Sequence, residues 1–337
     1  MGRFIKGREG YSCLGNVYYK YKIANEDAPI VITFSYLGAN AKRAEAKSGV
    51  HSPWAYDFIV SKGLNALSFC CIGNNNWYTD KIFQEKVEGV GEEIKKTGLK
   101  ILGYGGSMGG FGVSALANPL GIEEMLLFNP ISTLNSEKAP FEYRFSNARN
   151  KLDWSCPYND GADAYASGYV IYDPFFKVDA LHAERYLNLE KLKFPGVGHS
   201  IPNHLAKVNA LKWVFSSFLD GRIDKVEFGK KVREKRKYPH YYKWMMGPEN
   251  AYLTEKRKEV VERYYSSFML LSGETSILQK EDIDFIRDLA ISQESEDLNT
   301  SYRLMKMAEK LRPRGPFIRK KVREYSVRVK KGKINSM

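Results

Sequence analysis

The chain is short of the residues that build metal centres, disulfide frameworks and membrane spans. Its 337 residues include four cysteines, Cys13, Cys70, Cys71 and Cys156, with no CxxC pair among them. That spacing argues against a structural zinc site and against a secreted disulfide scaffold, and it fits a reducing compartment. No stretch approaches the roughly 20 apolar residues that span a bilayer, and the opening MGRFIKGREGYSCLG lacks the apolar run of a signal peptide. A cytoplasmic protein, at most peripheral to the inner membrane surface, is therefore expected. Met1 and Gly2 begin like an acylation site, but Lys6 stands where Ser or Thr is needed. Charge imbalance is nearly absent from residues 1–220. Residues 221–337 hold 28 basic and 17 acidic side chains, and so carry +11 of the net +13.

What is present reads as globular: 43% hydrophobic and 27% charged residues exclude wholesale disorder and a fibrous chain. The length suggests two domains, expected at 1–221 and 222–337. In the first, β-branched and aromatic runs at 17–23 and 29–37 read as two antiparallel strands. Strand patterns at 65–71, 100–106, 123–128, 168–173 and 190–195 then alternate with helical patterns at 54–63, 80–98, 108–118, 180–187 and 202–219. Such alternation implies right-handed crossovers and a largely parallel sheet with helices on both faces, an α/β fold. Residues 129–167 break the rhythm with a polar, aromatic-rich insertion, as lids and substrate-binding elements do. Beyond 222 the pattern is helical, with candidates near 250–271, 280–292, 296–311 and 316–326, the last pair resembling one degenerate helical-repeat unit.

The chemistry-bearing constellation begins with Gly105-Gly106-Ser107-Met108-Gly109, a GxSxG sequence where an apolar strand meets a helix. A sharp turn there lifts a serine hydroxyl above the carboxyl edge of a parallel sheet. Glycine-rich turns also bind phosphate, but the GxGxxG and Lys-Ser/Thr spacings are missing. A serine nucleophile needs a base and an acid that orients it. Of five histidines, only His199 follows a short strand through a glycine turn, FPGVGHS. The acid is expected at Asp173, which ends a strand just before Pro174; Asp179 is the alternative, although a helix N-cap would account for it. The N–H of Met108 and one near Tyr36 are candidate oxyanion donors. Arg144 in the insertion is a candidate clamp for an anionic substrate group.

Together GYGGSMGGFG, FSYLG, YDP with the later Asp179, and GVGHS resemble the α/β-hydrolase superfamily. More narrowly, GSMGGFGVSALANPLGIEEMLLFNPISTL resembles bacterial proteins, some encoded with surface-polysaccharide genes, that join such a domain to a helical repeat. The resemblance covers about residues 15–220 and departs from the usual acid loop, with Asp173 in the place of a strand-ending glycine and Phe176 where the acid belongs. It implies an α/β-hydrolase fold, no cofactor, Ser107 as nucleophile, His199 as base and Asp173 or Asp179 as acid. The expected activity is that of a serine hydrolase acting on an ester, with an acylated glycan or glycolipid precursor as the substrate the resemblance implies. Transfer of the acyl group to an alcohol is a second enzymatic reading, and a catalytically inactive scaffold using its basic helical tail is a third. KKVREKRK at 230–237 and the basic run at 312–333 admit an anionic surface or polymer as partner. No nucleic-acid module accompanies them, which argues against nucleic acid.

Overall fold

The computed structural model describes residues 4–5, 7–238, 241–242, 245, 254–271 and 283–334. Pro239, His240 and the starts of the helices expected near 250 and 280 lie outside the described residues. The chain divides into two compact units, Met1–Phe228 and Gly229–Met337. The first unit runs seven residues past Gly221, and the segment after Gly221 stays attached to the sheet. Ile223 N–H donates to Tyr169 Oη at 3.1 Å, and Ile223 and Phe228 are buried.

The first unit is an α/β fold built on eight strands: β1 Glu9–Leu14, β2 Val17–Lys22, β3 Ile30–Phe34, β4 Asn65–Cys71, β5 Ile101–Gly106, β6 Glu124–Phe128, β7 Ser167–Tyr172 and β8 Leu189–Lys193. Their spatial order is β1-β2-β4-β3-β5-β6-β7-β8. The expected strands at 17–23 and 29–37 exist as β2 and β3 but do not pair with each other. β2 instead forms a hairpin with β1 across Gly15-Asn16 and runs antiparallel to β4, whereas β3 lies parallel to both β4 and β5. β1 escapes hydrophobic pattern reading because it is an exposed edge strand of mixed polarity, EGYSCL. From β4 to β8 all pairings are parallel, as the alternation implied.

Alternate residues of the central strands feed two faces. On one, Ile32 and Phe34 of β3 and Leu67 and Phe69 of β4 pack with Phe83 and Val87 of the Lys81–Lys95 helix and Val113 of the Met108–Ala115 helix. On the other, Tyr104 of β5 meets Trp54 and Phe215, so the Tyr56–Ser61 and Leu211–Leu219 helices cover that side. Each such side chain, fully buried, contributes about 1.5–3 kcal/mol. The Lys81–Lys95 helix starts where Asp80, its N-cap, accepts the Phe83 N–H. The single helix expected at 202–219 is two, Ile201–Lys207 and Leu211–Leu219, broken where Asn209 takes a left-handed φ of 54°.

The insertion is folded onto the unit's core. Trp154 packs against Trp77 and Phe111, and Arg149 donates to the carbonyls of Leu134, Ala139 and Glu142. Arg185 grips the insertion through Asp160 and Ser132.

The second unit is helical over Glu255–Leu271, Ile283–Ser292, Leu298–Leu311 and Pro316–Ile334. Ile286, Leu304, Met305 and Tyr325 belong to its own apolar cluster. Among the described residues no helix is long and apolar enough to cross a membrane.

Candidate active site

Ser107 sits at the junction of β5 and the Met108–Ala115 helix with φ 53° and ψ −124°, a strained conformation for a residue with a side chain. The strain is held by its neighbours. Ser107 N–H donates to Phe128 O at 3.0 Å, and its carbonyl accepts from Phe111 and Ile131. Space allows no side chain at the flanking glycines: a Cβ on Gly109 would lie 2.2 Å from Phe34 O, and one on Gly105 would lie 2.7 Å from Gly109 O. The helix start is thus pressed against the end of β3. There the Met108 N–H is one of the free donors of a helix N-terminus, and the chain beyond Phe34 carries Tyr36 and Leu37, whose N–H groups have no acceptor among the described hydrogen bonds.

Ser107 Oγ lies 2.9 Å from His199 Nε2, and His199 Nδ1 lies 2.6 Å from Asp179 Oδ2. Asp179 is fully buried in the first turn of the Lys177–Glu184 helix, whose N-cap position is Phe176. Asp173, the preferred acid on the sequence, is not the carboxylate at His199. Its Oδ1 accepts N–H groups of Phe175 (2.9 Å) and Gly196 (3.0 Å), and its Oδ2 those of Val197 and Gly198 (2.7 Å each). Four backbone amides claim that carboxylate and fasten the loop that carries His199 to the end of β7. Phe176, at the place where the family pattern expects an acid, packs its ring 6.3 Å from the imidazole.

Arg144 also departs from expectation. Its Nη1 donates to Asp179 Oδ1 at 2.8 Å and lies 3.4 Å from His199 Nδ1, while Nε and Nη2 donate to Glu142. Two carboxylates already meet its charge, so it is not free to clamp an anionic substrate. Burial disfavours the guanidinium charge, but Glu142 and Asp179 outweigh it and push the Arg144 pKa above its ordinary value. Burial likewise opposes ionisation of Glu142, yet hydrogen bonds from His182 and Arg144 hold its carboxyl down at about 2. His182 stays neutral, burial pushing its pKa down. Its Nδ1 accepts the Ser132 N–H at 3.1 Å, which leaves the proton on Nε2, 2.9 Å from Glu142 Oε2.

Glu142 and His182 were not among the candidates, and neither was Asn129, which directly follows β6 with φ 34° and brings Nδ2 within 3.2 Å of both His199 ring nitrogens. Its place at the carboxyl edge of the strand beside the nucleophile strand is the signal that could have found it. A cleft of about 640 Å³ is lined by Leu37, Asn74, Trp77, Arg144, Asn147 and Lys151, among others. Arg144, which donates to Asp179, also lines this cleft. Among the described residues no group of three or more His, Cys, Asp or Glu side chains is arranged to hold a metal ion.

No family model and no curated protein matches the sequence. Solved structures similar in outline include the capsule O-acetyltransferase of Neisseria meningitidis serogroup A, at 13% identity and TM-score 0.42 over 62% of this chain and 93% of that one. Est1E of Butyrivibrio proteoclasticus is 13% identical with TM-score 0.41, over 63% and 99%. A bacterial heroin esterase is 14% identical with TM-score 0.40, over 67% and 83%. These likenesses concern the fold alone, and what the chain does has to be read from its own side chains.

Proposed function

We propose that the protein is a serine acyl-transfer enzyme, in the first instance an ester hydrolase, working through an acyl-enzyme at Ser107. The observation that carries this reading is the unbroken line Ser107 Oγ, His199 Nε2, His199 Nδ1, Asp179 Oδ2, with links of 2.9 and 2.6 Å. His199 takes the Ser107 proton as Oγ attacks the ester carbonyl, and Asp179 holds the imidazole with its proton on Nδ1, so that Nε2 is the base. The developing oxyanion faces the N–H of Met108 and one from the Tyr36–Leu37 turn. His199 then protonates the leaving alcohol, and the same imidazole deprotonates the group that relieves Ser107 of its acyl chain.

When that group is water the reaction is hydrolysis; when it is a hydroxyl it is transfer. The cleft that Arg144 lines favours giving the second reading a place. Its amide side chains, Asn74, Asn75 and Asn147, and Lys151 offer the hydrogen-bond donors and acceptors that a hydroxyl-rich glycan acceptor or glycan ester needs. Labelling with a fluorophosphonate tests the enzyme readings against an inactive scaffold. Wild type is expected to label and Ser107→Ala not to; an unlabelled wild type, or equal labelling of both, overturns them.

A further inference from the structure

Most of the buried charge around the triad comes from outside it, and its arrangement is specific. Asp179 uses one oxygen for His199 and the other for Arg144 Nη1. The planar guanidinium is clasped between the rings of Phe145 and Phe176, at 5.3 and 5.4 Å. On its far side Glu142 accepts from Nε, Nη2 and the Arg144 backbone N–H, and Glu142 is in turn held by His182, which Ser132 anchors at the start of the insertion. Glu142, Asp179 and His182 are all buried. A surface ion pair is worth little, but this one is a fixed chain with a defined order of charges leading away from the base.

We infer that Arg144 is a positioning residue, through which the 129–167 insertion sets both the orientation of Asp179 and the readiness of His199 to accept a proton. This rests on the acyl-transfer reading above. Two physical consequences follow from the geometry. A bond from Nη1 to Oδ1 leaves Asp179 one way to present Oδ2 to His199, so the carboxylate cannot rotate out of line. A positive charge 3.4 Å from Nδ1 opposes a second positive charge on the imidazole, whereas Glu142 blunts that opposition by neutralising the guanidinium. The charged or titratable groups facing His199 are Asp179 from the helix after β7, Arg144 from the insertion and Ser107 from the elbow; Asn129 and Phe176 contribute no charge, and Asp173 faces the amides of the His199 loop.

The test is the pH profile of kcat/KM on p-nitrophenyl acetate for the full chain and three variants, each checked by thermal melting. Arg144→Gln is expected to move the acid limb to higher pH, with a rate loss of about 10-fold or more. Arg144→Lys keeps the charge and loses the planar fork, so it should keep the limb in place at a reduced kcat. Glu142→Gln leaves the guanidinium less neutralised and should move the limb the opposite way, to lower pH. Opposite displacements are not produced by loosened packing. Limbs that coincide with wild type in Arg144→Gln and Glu142→Gln overturn the inference; if Arg144→Gln does not fold, an unmoved limb in Glu142→Gln alone does so. A wild type that neither labels nor hydrolyses overturns the acyl-transfer reading instead.

Discussion

Replacing each of the two candidate aspartates by asparagine separates their roles, because the amide is nearly isosteric and fails differently at each site. At position 179 the neighbours dictate which way the amide points. Arg144 Nη1 is a donor, so it takes the amide oxygen, and the amide NH2 is left facing His199 Nδ1. Nδ1 must then accept, the ring proton moves to Nε2, and Ser107 Oγ faces a donor in place of a base. A wrong tautomer in an otherwise intact triad costs about 10⁴ in rate, or about 5 kcal/mol of transition-state stabilisation. At position 173 no tautomer is at stake. There an NH2 would confront two of the four amide N–H groups that the carboxylate now satisfies. At about 1–3 kcal/mol for each buried donor left unsatisfied, Asp173→Asn should lose about 2–6 kcal/mol of stability. The assay pairs ester hydrolysis and fluorophosphonate labelling rates with urea unfolding. Asp179→Asn is expected to be folded and nearly inactive, and Asp173→Asn less stable but far more active than Asp179→Asn at a temperature where it is folded. Activity of Asp179→Asn within tenfold of wild type would refute the assignment of the acid, as would a stable Asp173→Asn that had lost activity by 10⁴.

Two further outcomes follow from the same geometry. Gly109→Ala puts a methyl group 2.2 Å from Phe34 O, so the helix start has to withdraw from β3 and carry the Met108 N–H with it; a loss of both labelling rate and melting temperature is expected, and an unaffected labelling rate would show that the close approach is dispensable. Glu142 titrates near 2 in the folded protein against 4.5 for its ordinary value, so its contribution is complete above about pH 4.5 and is lost as pH falls toward 2. The shift corresponds to about 3 kcal/mol as an upper figure, and acid unfolding followed by circular dichroism should therefore be shallower over that window in Glu142→Gln than in wild type; identical slopes would exclude Glu142 as a source of acid sensitivity.

The parts of this site that were legible in the sequence are those written locally. A strand that runs into GGSMGG announces its turn within a few residues, since only small side chains pass between Phe34 O and the helix start, and a histidine after a glycine turn at the end of a strand has one sheet edge to reach. The choice between Asp173 and Asp179 was not local. Asp173 ends its strand as an acid should, but a strand-end carboxylate is captured by whatever donors lie opposite, and the turn at 196–198 presents three free amides to it. Asp179 becomes available because the helix begins two residues before it and turns its carboxylate inward, which depends on how that helix packs on β7. β1 was missed for a related reason: its pairing with β2 makes it a strand, not its own polarity.

The insertion shows the same limit from the other side. Its composition suggested a lid or a substrate-binding element, and its tryptophan is packed against Trp77 and Phe111 while its arginines are spent on carbonyls and on Asp179. Polar residues in a long connection look solvent-facing until their partners are known, and here Glu142 and His182 come from segments 40 residues apart. A buried ionic chain of this kind carries no periodicity and no motif. It does carry a cost of desolvation that only mutual pairing offsets, so breaking it at one link leaves a buried charge without its partner. Substrate-driven closure of the whole insertion over Ser107 would have to break several such links together. Access to the site is therefore expected through the cleft lined by Asn74 and Asn147, with the insertion staying in place.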